Sequence, residues 1–190
     1  MLKDLVIRTR SIRRFYEDVC VTEETLRELV DLARNTASTV NSQALRFKLI
    51  TNENERETVF SNLAWAGLLK DWNGPEKGER PSAYIIILCD LSVGSNKHFD
   101  DGIAAQTILL GATEKNLGGC MFGSINRSRL ASELNIDLEK YSIDLVLAIG
   151  KPKETVKIVD VGENGSTAYY RDSEGNHYVP KRSLEDLIIK

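Results

Sequence analysis

The stretch AYIIILC, residues 83–89, is the longest apolar run in the chain and predicts a β-strand in the protein interior. It lacks the alternation of polar and apolar side chains that a half-exposed strand shows, so both of its faces should be covered. Three further β-rich segments are bounded by polar residues or glycine: FKLIT (47–51), CMFGSI (120–125) and DLVLAIG (144–150). The sequence therefore predicts a sheet with residues 83–89 in its interior.

Two longer helices are predicted from the spacing of apolar residues. The first begins after Thr22, which can cap it, and its apolar side chains recur at i, i+3, i+4 and i+7. These side chains are Leu26, Leu29, Val30 and Ala33. The second covers about residues 100–116, has few polar positions, and precedes Gly118 and Gly119, which can end a helix. Its composition indicates a buried, central helix.

Shorter elements are predicted towards the C-terminus. RSRLASELNI (127–136) indicates a short helix, and the residues around 172–176 indicate a hairpin-like turn. In the last segment, KRSLEDLIIK (181–190), Ser183 and Asp186 have the spacing of a capping box and predict another short helix. The chain contains no repeat and no low-complexity linker. The elements together indicate one α/β or α+β domain.

The composition is that of an ordinary globular protein. Of the 190 residues, 42% are apolar and 28% are charged, and the net charge is −3 with a pI near 5.5. This balance excludes disordered and fibrous classes, and the slight acidity gives no support for nucleic-acid binding. No apolar run is long enough to span a bilayer or to form the core of a signal peptide. We therefore expect one domain over residues 1–190 in the cytoplasm, with no nucleic-acid or membrane partner.

The sequence offers no motif for a metal, a disulfide or a phosphate loop. Its three cysteines are widely spaced and it has two histidines, so neither a disulfide framework nor a Cys/His metal site is indicated. GGCMFGS (118–124) has glycines at the outer spacing of a phosphate loop but lacks the lysine that must follow the second glycine. No nucleophile elbow is found either.

Two basic clusters lie at opposite ends of the chain. RTRSIRRF (8–15) and PKRS (180–183) both combine cationic side chains with a hydroxyl group, a combination that can bind a phosphate dianion. Taken alone, each cluster is more typical of a solvated charged surface than of a ligand site. A third stretch, ASTVNSQALRF (37–47), places the amides of Asn41 and Gln43 just before a predicted strand, where they can donate and accept hydrogen bonds.

These stretches, in this order, resemble the nitroreductase-like family of FMN-dependent oxidoreductases. The family has an Arg/Ser/Arg motif ending in Phe, here RSIRRF, and then a loop with Asn and Gln before a strand, here ASTVNSQALRF. A long apolar helix that ends in Leu-Gly follows, here TILLGATEKNLGG, and later a strand that ends in Gly-Lys-Pro, here LAIGKP. The resemblance implies a three-layer α+β fold with a central, mostly antiparallel sheet flanked by helices. It also implies an intertwined homodimer with FMN at the subunit interface.

The resemblance assigns the basic residues to the phosphate and ribityl chain of FMN. On this basis, Arg10, Ser11, Arg13, Lys181 and Arg182 are expected to bind the cofactor. The family has its first arginine two positions before the serine, where this chain has Thr9. Either Arg8 or Arg10 could therefore be the phosphate ligand.

Other assignments concern the flavin ring and the second subunit. The resemblance implies that Ser38 and Asn41, with Gln43 nearby, reach the flavin from the partner subunit. The loop departs from the family motif at two places: Ala37 stands where the family has proline, and Ala44-Leu45 stands where it has Pro-Trp. It also implies that Gly123 and Ser124 face the N5 edge of the ring. A cation near N1 would raise the electron affinity of the flavin, and either Lys77 or Arg13 could supply it.

The resemblance implies a ping-pong reaction in which NADH or NADPH reduces the flavin and a small electron-poor acceptor reoxidises it. Nitroaromatics, quinones and flavins are the acceptor classes expected. Because the protein would act by positioning and electrostatics, no catalytic side chain is assigned. Two alternatives stay open: an FMN enzyme with another reaction, for which residues 63–84 could form a lid, and a flavin- or nucleotide-binding sensor without catalysis. Trp65 and Trp72, within that segment, could line a substrate entrance or belong to the core.

Overall fold

The computed structural model describes residues 1–69, 72–94 and 99–189. The helices of this part of the chain are α1 (Leu2–Arg8), α2 (Glu23–Arg34), α3 (Glu53–Ser61), α4 (Asp100–Glu114) and α5 (Arg127–Glu133). The strands are β1 (Phe15–Tyr16), β2 (Leu45–Ile50), β3 (Ala83–Asp90), β4 (Gly118–Phe122), β5 (Tyr141–Pro152), β6 (Val156–Asp160), β7 (Tyr170–Arg171) and β8 (His177–Lys181).

A five-stranded antiparallel sheet forms the centre of the fold. Its strand order is β1-β5-β3-β2, and β4 also pairs with β5, beside β1. Strand β3 lies between β5 and β2, and all eight of its residues are buried. This confirms the prediction of an interior strand at residues 83–89 and the α+β class.

Helices cover both faces of the sheet and make three layers. On one face, Ile85 and Ile87 of β3 pack with apolar side chains of α2 and α4. On the other face, Tyr84 and Ile86 pack with α3, α5 and the segment that contains Trp65. Because successive strand residues point to opposite faces, the continuous apolar run of β3 supplies both cores.

The two predicted longer helices are confirmed, and they pack closely against each other. The Thr22 hydroxyl accepts a hydrogen bond from the Thr25 N–H at 3.1 Å and caps α2. On α4, a Cβ atom added to Gly111 would lie 2.4 Å from Cδ1 of Leu32 on α2. The glycine therefore permits the short distance between α2 and α4.

The C-terminal segment forms a separate three-stranded sheet in the order β6-β8-β7. Strands β6 and β8 are parallel, whereas β7 and β8 are antiparallel and are joined by the predicted turn. In this turn the Gly175 N–H donates to the Asp172 carbonyl at 3.1 Å, and Gly175 has a φ of 81°. Glycine adopts this left-handed conformation without steric cost.

The prediction of a helix within residues 181–190 is wrong for the described part of that segment. Residues 184–187 form only a turn, in which the Ser183 hydroxyl accepts a hydrogen bond from the Asp186 N–H at 3.2 Å. Leu184 and Leu187 are exposed, so apolar packing does not stabilise further turns of helix there. Lys190 lies outside the described residues. Among the described helices, none has both the length and the apolar character needed to cross a bilayer.

Candidate functional site

A basic cavity of about 330 Å³ lies where the end of α1 meets the C-terminal end of α4 and the end of β5. Three cations line it: Arg8, Arg10 and Lys151. Arg10 donates from Nη2 to the Val6 carbonyl at 2.8 Å, while its buried Nε has no hydrogen-bond partner among the described residues. Burial lowers the pKa of Arg10. The cavity thus collects positive charge and holds an unpartnered donor at its wall.

Thr9 explains why the flanking arginines, and not position 9, face this cavity. Its side chain is buried, and its hydroxyl donates to the Leu5 carbonyl at 2.7 Å and lies 2.9 Å from the Thr113 hydroxyl on α4. Position 9 is therefore turned towards the core. Arg8 and Arg10 both line the cavity, so the structure does not separate the two candidates for the phosphate ligand.

Ser11 and Arg13 lie along the start of β4. Ser11 pairs with Gly119 through a parallel bridge, and the Ile12 N–H donates to the Gly119 carbonyl at 2.8 Å. Arg13 donates from Nη1 to the Ser11 carbonyl at 3.3 Å, and its guanidinium lies 4.9 Å from the centre of the Tyr169 ring. The Arg/Ser/Arg motif is thereby fixed to the edge of the central sheet by backbone hydrogen bonds.

Gly123 and Ser124 follow directly after β4 and are exposed. The Ser124 carbonyl accepts a hydrogen bond from the Ala64 N–H at 3.0 Å, which fixes the backbone there. A Cβ atom added to Gly123 would meet nothing within 4 Å, whereas one added to Gly119 would lie 2.2 Å from the Ala148 carbonyl oxygen. Packing therefore requires glycine at position 119 but leaves open space at position 123.

Ser38 and Gln43 line a different cavity, of about 300 Å³, together with residues at the end of α2 and in β2. Asn41 is exposed in the same loop, where Asn41 and Gln43 have φ values of 56° and 51°. Asp100 stabilises this loop, because its carboxylate accepts hydrogen bonds from the N–H and hydroxyl of Thr39, both at 2.9 Å. The strained loop is thus held in one conformation.

The sheet register separates this loop from the basic cavity. Ser11 pairs with Gly119, Gly119 pairs with Ile149 of β5, and Ile149 pairs with Ala83, so Ser11 lies level with the first residue of β3. Leu45, just after the loop, pairs with Cys89 near the other end of β3. Six residues of strand correspond to roughly 20 Å. One chain therefore does not bring the two predicted sets of flavin ligands together.

Three other predicted residues also lie apart from Arg10. Lys181 and Arg182 are exposed at the end of β8, and neither lines the basic cavity. Lys77 is exposed and lines a third cavity, with Arg56 and Arg80. Their assignment to the cofactor stays a prediction.

Lys151 and Glu154 are site residues that the sequence reasoning missed. The Lys151 ammonium donates to the Asn116 carbonyl at 3.2 Å, and its position in the LAIGKP strand end was the available signal. Glu154 also lines the basic cavity, but its carboxylate is already bound by the N–H groups of Arg13 and Arg14 and by the Arg171 guanidinium. No feature of the sequence distinguishes this glutamate from a surface acid.

His177 is buried beside Glu154. Its Nδ1 lies 3.9 Å from Oε2 of that carboxylate, and neither ring nitrogen has a hydrogen-bond partner among the described residues. The imidazole stacks on Tyr169 with ring centres 5.2 Å apart. Burial lowers the pKa of His177, although the nearby carboxylate acts in the opposite direction. The histidine is therefore neutral at pH 7.

Trp65 belongs to the core. It is 8% exposed, and its ring centre lies 4.6 Å from that of Phe122. Trp72 packs edge-on against Trp65 and carries the Arg171 guanidinium over its ring at 4.3 Å. Residues 70 and 71 of the segment considered as a lid lie outside the described residues.

The nitroreductase family model matches residues 6–84 and 94–151 of the chain. No curated protein matches the sequence. Among solved structures, a nitroreductase-like protein from Desulfovibrio desulfuricans in complex with FMN is 22% identical with a TM-score of 0.73, covering 100% of this chain and 95% of its own.

Two further solved structures are similar over most of the chain. An FMN-dependent nitroreductase from Clostridium difficile R20291 is 22% identical with a TM-score of 0.64, covering 78% of this chain and 86% of its own. An NAD(P)H:FMN oxidoreductase-like protein from Staphylococcus epidermidis is 17% identical with a TM-score of 0.67, covering 80% and 87%. At these identities the likeness shows the fold, and the family model matches more than half of the chain. The chain belongs to the nitroreductase family.

Proposed function

We propose that this protein is an FMN-dependent oxidoreductase that transfers two electrons from NADH or NADPH to a small electron-poor acceptor of the nitroaromatic, quinone or flavin type. The observation that carries the proposal is the arrangement around β4. A cavity lined by three cations adjoins the start of this strand, and an open glycine follows its end.

The residues present fit a phosphate-bearing flavin. Arg8, Arg10 and Lys151 would bind the phosphate. Arg10 and Lys151 supply the two positive charges that match a dianion, since Arg8 is paired with Asp4 at 2.9 Å, and Arg10 Nε has no partner among the described residues. Glu154 in the same cavity does not oppose this, since its carboxylate is held by three other donors. Ser11 would hold the ribityl chain. The space at Gly123 leaves room for the ring beside the backbone of Ser124.

Bound FMN supplies the redox chemistry, since its ring can take up two electrons from a nicotinamide and give them to an acceptor. The protein would position the ligands and provide a cation close to the ring. Arg13 is the better candidate for this cation, because it lies on the β4 side of the molecule, whereas Lys77 lines another cavity. Neither role requires a side chain that transfers a proton.

A homodimer is part of the proposal. Ser38, Asn41 and Gln43 lie too far from the basic cavity to bind the same cofactor within one chain, so a second copy would have to supply them. The exposed apolar side chains of the C-terminal segment support such an assembly, because Leu187 and Ile188 are 65% and 57% exposed. Lys181 and Arg182 precede these residues in the same segment, so packing of the segment against a second copy would change their positions as well.

The test is the visible spectrum of the purified protein, recorded before and after addition of NADH or NADPH without oxygen. We expect the band of oxidised flavin and its loss on reduction, followed by its return when a quinone or nitroaromatic is added. Bound FMN that neither nicotinamide reduces would favour a flavin-binding sensor. A colourless protein that added FMN does not reconstitute would refute the proposal.

A further inference from the structure

A third cavity, of about 450 Å³, lies between α3 and residues 76–81 on the α3 side of the central sheet. Three cations and three acids line it, Arg56, Lys77 and Arg80 with Glu17, Glu53 and Glu57, together with Asn54, Phe60, Pro81 and Tyr84. None of the residues that line the basic cavity near Arg10 takes part in it. The proposed function gives this cavity no role.

Tyr84 brings a buried hydroxyl group to the cavity. The residue is 1% exposed, and its Oη has no hydrogen-bond partner among the described residues. Burial raises the pKa of this phenol, so the group is protonated at neutral pH. A buried hydroxyl without a partner is costly, so a ligand that accepts a hydrogen bond from it would be favoured.

Arg56 brings a guanidinium group that is held by no ion pair among the described residues, and its Nε is buried without a partner there. Arg80, by contrast, donates from Nη1 to Glu57 at 2.5 Å and lies 3.9 Å above the Phe60 ring. Its Nε is also buried and unpartnered.

The nearby acid Glu17 is committed to the adjoining loop. Its carboxylate accepts hydrogen bonds from the backbone N–H groups of Gly78 and Arg80. With Glu57 bound to Arg80, the cations Arg56 and Lys77 face one remaining acid, Glu53. Three donors, on Arg56, Arg80 and Tyr84, have no partner among the described residues. Two cations against one acid leave one positive charge, so an anion with one charge would satisfy this set, whereas a phosphate dianion would exceed it.

We propose that this cavity binds a small-molecule carboxylate with an apolar or aromatic body. The carboxylate would accept hydrogen bonds from Arg56, Arg80 and Tyr84, and the body would pack on the Phe60 side of the cavity. Guanidinium groups bind planar carboxylates in a matching geometry, and an aromatic wall favours an apolar substituent. The site shares no lining residue with the basic cavity near Arg10, and Lys77 lines it.

Isothermal titration of the purified protein with benzoate tests the proposal, with inorganic phosphate titrated in parallel. We expect benzoate to bind with one site per chain, Arg56→Gln and Tyr84→Phe each to weaken binding about tenfold or more, and phosphate not to bind there. Arg27→Gln removes an exposed arginine of α2 and serves as the matched control, with unchanged affinity expected. Tyr84→Phe removes only the unpartnered hydroxyl, so it should fold normally.

The location of the bound benzoate is read from the arginine Nε–H signals in ¹H–¹⁵N spectra, with and without FMN. Shifts of the Arg56 and Arg80 signals at unchanged flavin absorption place the ligand in this cavity. Benzoate that binds equally to the wild type and both variants, or that changes only the flavin spectrum, overturns the proposal. So does an absence of benzoate binding, or binding of phosphate that Arg56→Gln removes.

Discussion

Arg171 donates from Nη2 to Oε2 of Glu154 at 2.8 Å, and the two side chains are 15% and 1% exposed. The same carboxylate accepts hydrogen bonds from the backbone N–H groups of Arg13 and Arg14. One buried acid therefore joins the C-terminal sheet to the Arg/Ser/Arg motif. The position of Arg13 beside β4 depends on this junction.

Replacing this acid should lower stability strongly. Glu154→Gln keeps the shape of the side chain but leaves Arg171 without its counter-ion, and breaking a buried pair costs about 3–5 kcal/mol. We expect a loss of that order in the free energy of unfolding, measured by urea denaturation. Glu163→Gln changes an exposed loop residue and should stay within about 0.5 kcal/mol of the wild type. Equal stabilities of the two variants would contradict the assigned role of Glu154.

His177 should make stability depend on pH. Burial lowers its pKa in the folded protein below the ordinary value of 6.5, so the unfolded chain binds the proton more readily. The histidine therefore disfavours folding increasingly as the pH falls below about 6.5 and has no such effect above it. Unfolding midpoints measured from pH 8 to pH 5 should fall less steeply in His177→Gln than in the wild type. Identical slopes would show that His177 does not contribute.

The basic cavity predicts which cations matter most for FMN binding. Arg10→Gln and Lys151→Gln should each raise the Kd for FMN about tenfold or more, because a hydrogen bond to a charged group is worth about 1.5–3 kcal/mol. Quenching of FMN fluorescence on titration measures this Kd. The Kd of Arg182→Gln tests the assignment of Arg182 to the phosphate that the family resemblance implies, since Arg182 does not line the cavity within one chain. Unchanged affinity in the Arg10 and Lys151 variants would move the phosphate site elsewhere.

Two glycines near β4 should respond differently to the same substitution. Gly119→Ala would place Cβ against the Ala148 backbone carbonyl, which cannot move aside, so we expect a loss of about 1–3 kcal/mol in stability. Gly123→Ala meets open space and should leave stability nearly unchanged, while it weakens FMN binding if the ring approaches there. Thermal denaturation and FMN titration of both variants separate packing from binding. A Gly123→Ala variant with full affinity for FMN would exclude the ring from this position.

Complementation between subunits tests the shared site. Arg10→Gln and Asn41→Ala would each impair both sites of a homodimer. Coexpression of the two variants with different tags yields a heterodimer in which one site carries both changes and the other carries neither. We expect that heterodimer to regain one tightly bound FMN. If both residues served one site within a single chain, no intact site would form and no binding would return.

The elements with strong local patterns were predictable from the sequence. The helix after Thr22 has a cap and an apolar periodicity, which together indicate an amphipathic helix. The strand at residues 83–89 consists of apolar residues throughout, which indicates a strand with both faces covered. Helix α3 was not predicted, because among its residues only Val59 is buried and its sequence lacks an apolar stripe. The C-terminal helix was wrongly predicted because a capping pattern stabilises a helix only when its apolar face is packed.

The candidate site was predictable only in part, because its residues meet through long-range contacts. The Arg/Ser/Arg motif could be recognised as a local sequence, and the structure places it beside β4. Arg8 and Arg10 lie near Lys151 only because α1, α4 and β5 meet in the fold, and a short sequence motif does not predict such a long-range contact. The role of Glu154 was hidden for the same reason, since its partners are 140 and 141 positions away in sequence.

The hydrogen bonds from the Arg13 and Arg14 backbone to Glu154 limit which C-terminal segments of other proteins could replace the one in this chain. The family model ends at residue 151, so the acid that holds Arg13 and Arg14 lies beyond the shared core. Because it binds peptide N–H groups, it places no demand on the side chains at those two positions. A chimera of this core with a foreign tail would therefore need an acid two residues after Pro152, whatever else the tail contained. Tails that lack it would leave two partly buried donors unsatisfied, which gives protein engineers a simple criterion for choosing them.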